Sequence, residues 1–265
     1  MLGRDNPYLL RGFVVGSSLK ECFLLCFRKS NELWNIYTHL IPAIIMAYLT
    51  WRAFFVTIPG EFVTLRLLMT LFSLCGMLCF SFSVIYHCMR SLSVRAYTIS
   101  LTADVVGIAL VCCSGGILAI YCEFHCDIGL MTAHYILSVL VYSTAFGLVV
   151  YFVNRKMFFH RSVVLALVVC HIPLLLVHKS FLVGFSNPAI LMSWRRMFYG
   201  LIFSGGSLLC KVYFIPDRFF PKGTFDFGPH SHVWFHILSF LAVLTGWIHV
   251  RDYFWHGYFY CDAYV

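Results

Sequence analysis

The chain is predicted to be an all-α polytopic membrane protein with seven transmembrane helices. Of its 265 residues, 61% are hydrophobic and only 11% are charged, which is outside the range of water-soluble domains. A helix needs about 20 apolar residues to cross the hydrocarbon core. Seven windows of about that length follow one another, at roughly 35–57, 66–88, 96–121, 128–153, 162–183, 190–214 and 231–254. We therefore expect residues 35–256 to form one bundle, flanked by segments 1–34 and 257–265.

A short amphipathic helix is predicted in the segment before the first span. Ser18 and Glu21 fit a capping box, in which Ser18 caps the first turn and Glu21 reaches back to its backbone N–H. The residues that follow place apolar side chains on one helix face, namely Leu19, Cys22, Phe23 and Cys26. Such a helix is expected to lie in the membrane interface rather than to cross the bilayer.

The distribution of Lys and Arg predicts a cytosolic N-terminus. Most basic residues lie in the N-terminal segment and in the second, fourth and sixth loops, whereas the third loop has none. Because positive charge near span ends stays on the cytosolic side, the 257–265 tail is predicted to be extracellular or lumenal. Three cysteines fall on the same side, and two of them could form a disulfide: Cys122, Cys126 and Cys261.

The net charge of +8 does not indicate nucleic acid as a partner. The basic residues are spread over short loops beside the spans and form no single stripe. They are better explained as groups that set the topology and contact the anionic headgroups of the lipid bilayer.

Ionisable side chains inside the predicted spans are the candidates for function, because they are costly in a membrane. His232 and His236 are four residues apart, which places them on one helix face, and Ser83 and His87 have the same spacing. On the predicted topology all four lie at cytosolic helix ends. Three imidazoles and a water form the open tetrahedral site typical of catalytic zinc. We therefore expect His87, His232 and His236 to bind Zn²⁺ near the cytosolic face.

Two further polar residues are predicted to lie beside this metal. Asp104 falls about two turns into the third span, at the same membrane face, where a carboxylate needs a cation nearby. It would orient a zinc-bound water or take its proton, and Ser83 would donate a hydrogen bond to that water or to a substrate oxygen. The other membrane histidines are interpreted as hydrogen-bonded headgroup contacts, namely His39, His134, His171 and His178.

Four motifs of the chain resemble those of the progestin and adipoQ receptor family, which includes the adiponectin receptors and the membrane progestin receptors. They are Glu32-Leu-Trp-Asn35-Ile-Tyr-Thr38-His39, Ser83-Val-Ile-Tyr-His87, Asp104-Val-Val-Gly107-Ile108 and His232-Val-Trp-Phe-His236. The run Pro216-Asp-Arg-Phe-Phe-Pro221 before the last motif is also similar. The resemblance implies seven helices, a cytosolic N-terminus and zinc on the three histidines. It further implies hydrolysis of ceramide, with Asp104 and Ser83 near the zinc-bound water.

Two functions fit these residues. In the first, the protein is a receptor that hydrolyses ceramide or a related sphingolipid amide and signals through the products. In the second, zinc is structural, and the protein is a non-enzymatic receptor or a Golgi scaffold that tethers a cytosolic signalling protein. The chain ends, Arg4-Asp-Asn-Pro-Tyr8 and Cys261-Asp-Ala-Tyr-Val265, resemble the Golgi family member that tethers Raf kinase. An extracellular protein or steroid ligand, and residence in the plasma membrane or the Golgi, stay open.

Overall fold

The structure is a computed structural model that describes residues 6–13, 18–155 and 157–261. Within these ranges the chain forms helices and no β-strand. The helices are α1 (Leu19–Leu24), α2 (Leu33–Arg52), α3 (Val63–Met89), α4 (Val94–Phe124), α5 (Ile128–Asn154), α6 (Phe158–Val183), α7 (Pro188–Tyr213) and α8 (Ser231–Trp255). A π-helical turn, Ala53–Thr57, extends α2, and a 3₁₀ turn, Asp217–Phe219, lies between α7 and α8. Most of the two chain ends, 1–5 and 262–265, lies outside the described residues.

Six of the long helices have the length and composition needed to cross a membrane, namely α2 with its π-helical turn, α3, α4, α5, α6 and α8. The helix α7 is also long, with 26 residues. It differs because Arg195, Arg196 and Lys211 lie within it, and length and composition alone do not identify it as a span. The chain is thus a polytopic helical membrane protein, as predicted, and the seventh span stays a prediction.

The helix α3 lies between α2 and α4, and α7 packs along α8. At one point α3 and α4 approach so closely that a Cβ at Gly107 would lie 2.8 Å from the Cα atom of Cys79. No side chain fits there, so glycine permits this approach. Because Gly107 lies one turn after Asp104, and Cys79 one turn before Ser83, the close packing brings those two residues together.

The two ends of the bundle differ in chemistry. At one end a disulfide joins Cys126, before α5, to Cys261, after α8. Cys122, the third cysteine predicted on this side, is free and buried within α4. The opposite end contains the start of α8 and the end of α3, where the predicted metal ligands lie.

The capping predicted for Ser18 at the start of α1 is confirmed, and the return bond from the Glu21 side chain stays a prediction. The Ser18 hydroxyl accepts a hydrogen bond from the backbone N–H of Glu21 at 3.2 Å. The residues of its predicted apolar face differ in exposure: Cys22 is buried, whereas Leu19 and Phe23 are exposed. The position of α1 in the membrane interface stays a prediction.

Candidate metal centre

Three histidines from two helices converge at one end of the bundle. His87 lies in the last turn of α3, and His232 and His236 lie in the first two turns of α8. One ring nitrogen of each lies within 4.8 Å of the other two, and the Nε2 atoms of His232 and His236 are 3.2 Å apart. A tetrahedral zinc site, with Zn–N of about 2.0–2.1 Å, sets its nitrogens about 3.3 Å apart. The three ring nitrogens thus lie close to the spacing that one cation requires.

Glu32 orients the first of these rings. Its Oε2 atom lies 2.8 Å from Nδ1 of His87, and its Oε1 atom accepts a hydrogen bond from Arg90 at 3.1 Å. Burial opposes the negative charge, but Arg90, His87 and Asn35 together hold the pKa of Glu32 below its usual range. The ionised carboxylate accepts the Nδ1 hydrogen of His87, so that Nε2 presents its lone pair toward the other rings.

Thr38 orients the ring of His236 in a similar way. Its hydroxyl donates to the backbone carbonyl of Trp34 at 2.6 Å and lies 3.2 Å from Nδ1 of His236. Because a hydroxyl has only one hydrogen, Thr38 accepts the hydrogen bond from Nδ1. The Nε2 atom of His236 is then left without a hydrogen and can bind a cation.

The third ring, His232, contacts a lysine side chain whose positive charge competes with a metal ion for the same place. The Nζ atom of Lys211 lies 2.9 Å from Nδ1 of His232, and an ammonium group can only donate. In this arrangement Nε2 of His232 carries the hydrogen and directs it at His236. A metal ion on Nε2 would move that hydrogen to Nδ1 and require Lys211 to turn aside. The donor set therefore fits a divalent cation, with one local rearrangement.

Asp104 and Ser83 lie beside the histidines, although Asp104 does not belong to the group of converging ligand atoms among the described residues. Asp104 lies near enough to His87, Lys211 and Arg161 for their charges to act on it, and the Ser83 side chain is its neighbour on α3. The side chain of Ser83 is buried one turn before His87 on α3. The structure thus brings all five predicted site residues together, and their chemical roles stay predictions.

Sequence reasoning assigned no role here to Glu32, Thr38, Arg90 or Lys211. The sequence does contain one indication of these residues: Glu32, Asn35 and His39 recur at helical spacing and form a polar stripe at the start of α2. A polar face in an otherwise apolar span indicates a polar partner inside the bundle. The partner itself lies far away in sequence, so spacing could not identify it.

The four histidines interpreted as headgroup contacts all have neighbours within the bundle. His134 Nε2 lies 2.9 Å from His178 Nδ1, and His171 Nδ1 lies 2.8 Å from the Tyr142 hydroxyl. His39 is buried, with its ring centroid 3.8 Å from that of His236. Neither nitrogen of His39 has a hydrogen-bond partner among the described residues. The headgroup interpretation is wrong for His39 and His171, which are buried among the helices. For the half-buried His134 and His178 it stays a prediction.

These features define a class of protein: a polytopic helical membrane protein with a buried histidine cluster at one end of its bundle. The model of the haemolysin-III-related family matches residues 27–247, which is most of the chain. The chain therefore belongs to this family, the progestin and adipoQ receptor family, and the membership that the four motifs predicted is confirmed.

Receptors from several organisms are similar to nearly the whole chain. The ADIPOR-like receptor IZH1 of Eremothecium gossypii is 28% identical over 261 residues, covering 91% of this chain and 78% of the relative. The ADIPOR-like receptor IZH2 of Saccharomyces cerevisiae is 28% identical over 270 residues, covering 94% and 78%. The adiponectin receptor protein of Drosophila melanogaster is 27% identical over 248 residues, covering 91% of this chain and 55% of the relative.

We expect Glu32→Gln to weaken Zn²⁺ binding about 10- to 100-fold, the usual effect of losing a group that orients a metal ligand. The neutral amide accepts the Nδ1 hydrogen of His87 more weakly than the carboxylate does. Competition between the purified protein and a chelator of known affinity measures the change.

The matched control is Glu61→Gln, which neutralises an exposed carboxylate in the connection before α3. This variant is expected to bind Zn²⁺ as the wild type does. If Glu32→Gln also retains wild-type affinity, then Glu32 does not orient a metal ligand.

Proposed function

We propose that this protein is a seven-helix receptor with an intramembrane Zn²⁺ site that hydrolyses ceramide-like lipid amides. The observation that supports it is the convergence of His87, His232 and His236 next to Asp104 and Ser83. Three neutral imidazoles leave one tetrahedral position open, which is typical of catalytic rather than structural zinc. A zinc ion held there would act as a Lewis acid toward the amide carbonyl and a water.

The residues of the chain would share the remaining tasks. Asp104 would accept the proton of the attacking water and deliver it to the leaving amine, as a general base and then a general acid. Ser83 would donate a hydrogen bond to the amide oxygen, on which negative charge develops. Glu32 and Thr38 would keep two of the imidazoles in their binding tautomers. The fatty acid and the sphingoid base would leave through the surrounding lipid.

A second candidate is a non-enzymatic receptor or a Golgi scaffold in which the cation is structural. It is favoured by the contacts of Glu32 with His87 and of Thr38 with His236, which link α2 to α3 and to α8. A cation on the three histidines would fasten these helices without any chemistry. The names of the relatives describe receptors, including one for adiponectin. An extracellular protein or steroid ligand and a cytosolic signalling partner belong to this candidate.

We expect Asp104→Asn to lower ceramide turnover at least about 100-fold, the smaller end of what a general base contributes, while zinc content stays at the wild-type level. His232→Ala is expected to lose both turnover and zinc. Metal analysis of the purified protein in lipid nanodiscs, together with mass spectrometry of released fatty acid, measures the two quantities.

Asp127→Asn is the matched control, since Asp127 caps α5 at the other end of the bundle and Asn caps equally well. It is expected to leave zinc content and turnover unchanged. Wild-type turnover by Asp104→Asn would contradict the role of Asp104. If the wild type holds zinc but releases no fatty acid, the hydrolytic function is contradicted. The structural role of the cation would then be the better account.

We also propose that α7 crosses the membrane as the seventh span. Near its start, Ser193 donates a hydrogen bond to Glu123 at the end of α4, at 3.1 Å. Near its end, Lys211 lies against His232 at the start of α8. Since α4 ends close to the disulfide and α8 begins at the histidine cluster, a helix that contacts both must run the length of the bundle. The basic residues of α7 would then face other helices or the bilayer interfaces.

The cytosolic placement of the N-terminus and of the histidine cluster belongs to the same proposal. Disulfides persist in oxidising compartments, so the end that carries Cys126–Cys261 would face the lumen or the cell exterior. The opposite end would then face the cytosol, in agreement with the distribution of Lys and Arg. Either the plasma membrane or the Golgi satisfies this orientation.

A glycosylation acceptor on a short linker is expected to receive a glycan at the C-terminus and none at the N-terminus. The reason is that only the lumenal side of the secretory pathway carries out this modification. A mobility shift that a glycosidase removes is the readout. A glycan on the N-terminal acceptor would reverse the proposed orientation and place the histidine cluster at the outer face.

A further inference from the structure

Two thiols outside the histidine cluster meet between α1 and α3. Cys26 lies in the turn after α1, and Cys88 directly follows His87 in the last turn of α3. Their Sγ atoms are 3.7 Å apart, and neither cysteine belongs to a disulfide. Both side chains are half-buried, so the pair packs against the protein and is still accessible to a small molecule.

This contact is specific to these two sulfur atoms. Among the described residues, no other pair of free cysteines has its sulfur atoms in such contact. Cys22 lies one helical turn before Cys26 and is almost completely buried, but it is not in sulfur contact with either member. Packing alone would not require two thiols to face one another, since any small apolar residue would fill the space.

We propose that Cys26 and Cys88 form a reversible redox pair that hydrogen peroxide converts into a disulfide. A disulfide needs its sulfur atoms about 2.0 Å apart, so rotation of the two side chains from their present contact would have to close the remaining gap. On the proposed topology both thiols lie at the cytosolic end, where thiols are normally kept reduced. The disulfide would therefore form only when peroxide is present.

The chemistry balances with peroxide as the only co-reactant. One thiol attacks a peroxide oxygen, which breaks the O–O bond and gives a sulfenic acid and one water. The second thiol attacks the sulfenic sulfur, forms the S–S bond and releases a second water. The two thiols lose two electrons and two protons, and the peroxide is reduced to two waters. A cytosolic thiol such as glutathione reverses the bond by thiol–disulfide exchange.

The link would stabilise the contact that orients His87. Cys26 lies six positions before Glu32, and Cys88 lies one position after His87. A bond between the two cysteines therefore closes a small ring with the Glu32–His87 contact. Oxidation would hold the segment between α1 and α2 against the end of α3.

The test uses the full-length protein in lipid nanodiscs, treated with hydrogen peroxide, then denatured, alkylated and digested. We expect Cys26 and Cys88 to lose alkylation together and a cross-linked Cys26–Cys88 peptide to appear. Dithiothreitol should restore both thiols. Hydrogen–deuterium exchange of the amides in 22–31 should slow after oxidation. None of these readouts requires bound metal or ceramide turnover. The redox proposal can therefore fail or succeed independently of the proposed function.

Cys26→Ser and Cys88→Ser should each abolish the cross-link, whereas the matched control Cys22→Ser should retain it. If both thiols of the wild type are still alkylated after peroxide treatment, the proposal is overturned. It is equally overturned if Cys26 becomes a sulfinic acid without a link to Cys88, or if peroxide joins Cys22 in place of Cys26.

Discussion

A buried carboxylate, that of Glu32, determines how the histidine end of the bundle is built. Removing one partner from a buried ion pair costs about 3–5 kcal/mol, because the remaining charge is left unpaired. Glu32 avoids this cost through His87, in the last turn of α3, and Arg90, which directly follows that helix. The helices α2 and α3 therefore cannot slide past one another without leaving that buried charge unpaired. This constraint fixes His87 where α8 brings His232 and His236.

The two ends of the bundle differ in chemistry, and this difference supports the proposed orientation of the protein in the membrane. One end holds a disulfide and the bond between Ser193 and Glu123. The other holds the imidazoles, Lys211 and free thiols. The helix α7 contacts both ends, and its Arg196 forms an ion pair with Asp252 of α8, which helps to hold the two helices together. The proposed metal chemistry, redox chemistry and topology all rest on this asymmetry.

The sequence predicts most of the helices, because long apolar windows have few alternatives in a membrane. It also predicts the His232–His236 pair, since a spacing of four residues is a local property of helices. It could not predict that Lys211 meets His232 or that Glu32 meets His87, because tertiary packing creates both contacts. From the sequence alone, any two of three cysteines could have formed the disulfide. The fold decides between them, because Cys122 is buried within α4, whereas Cys126 and Cys261 lie outside the long helices and are bonded to each other.

The central claim is that imidazoles from α3 and α8 bind one divalent cation together. X-ray absorption spectroscopy of the purified, zinc-loaded protein tests it most directly. The account predicts one zinc per chain, with only nitrogen and oxygen neighbours at about 2.0–2.1 Å and the outer-shell scattering of imidazole rings. Sulfur neighbours at about 2.3 Å, or the absence of stoichiometric zinc, would contradict it.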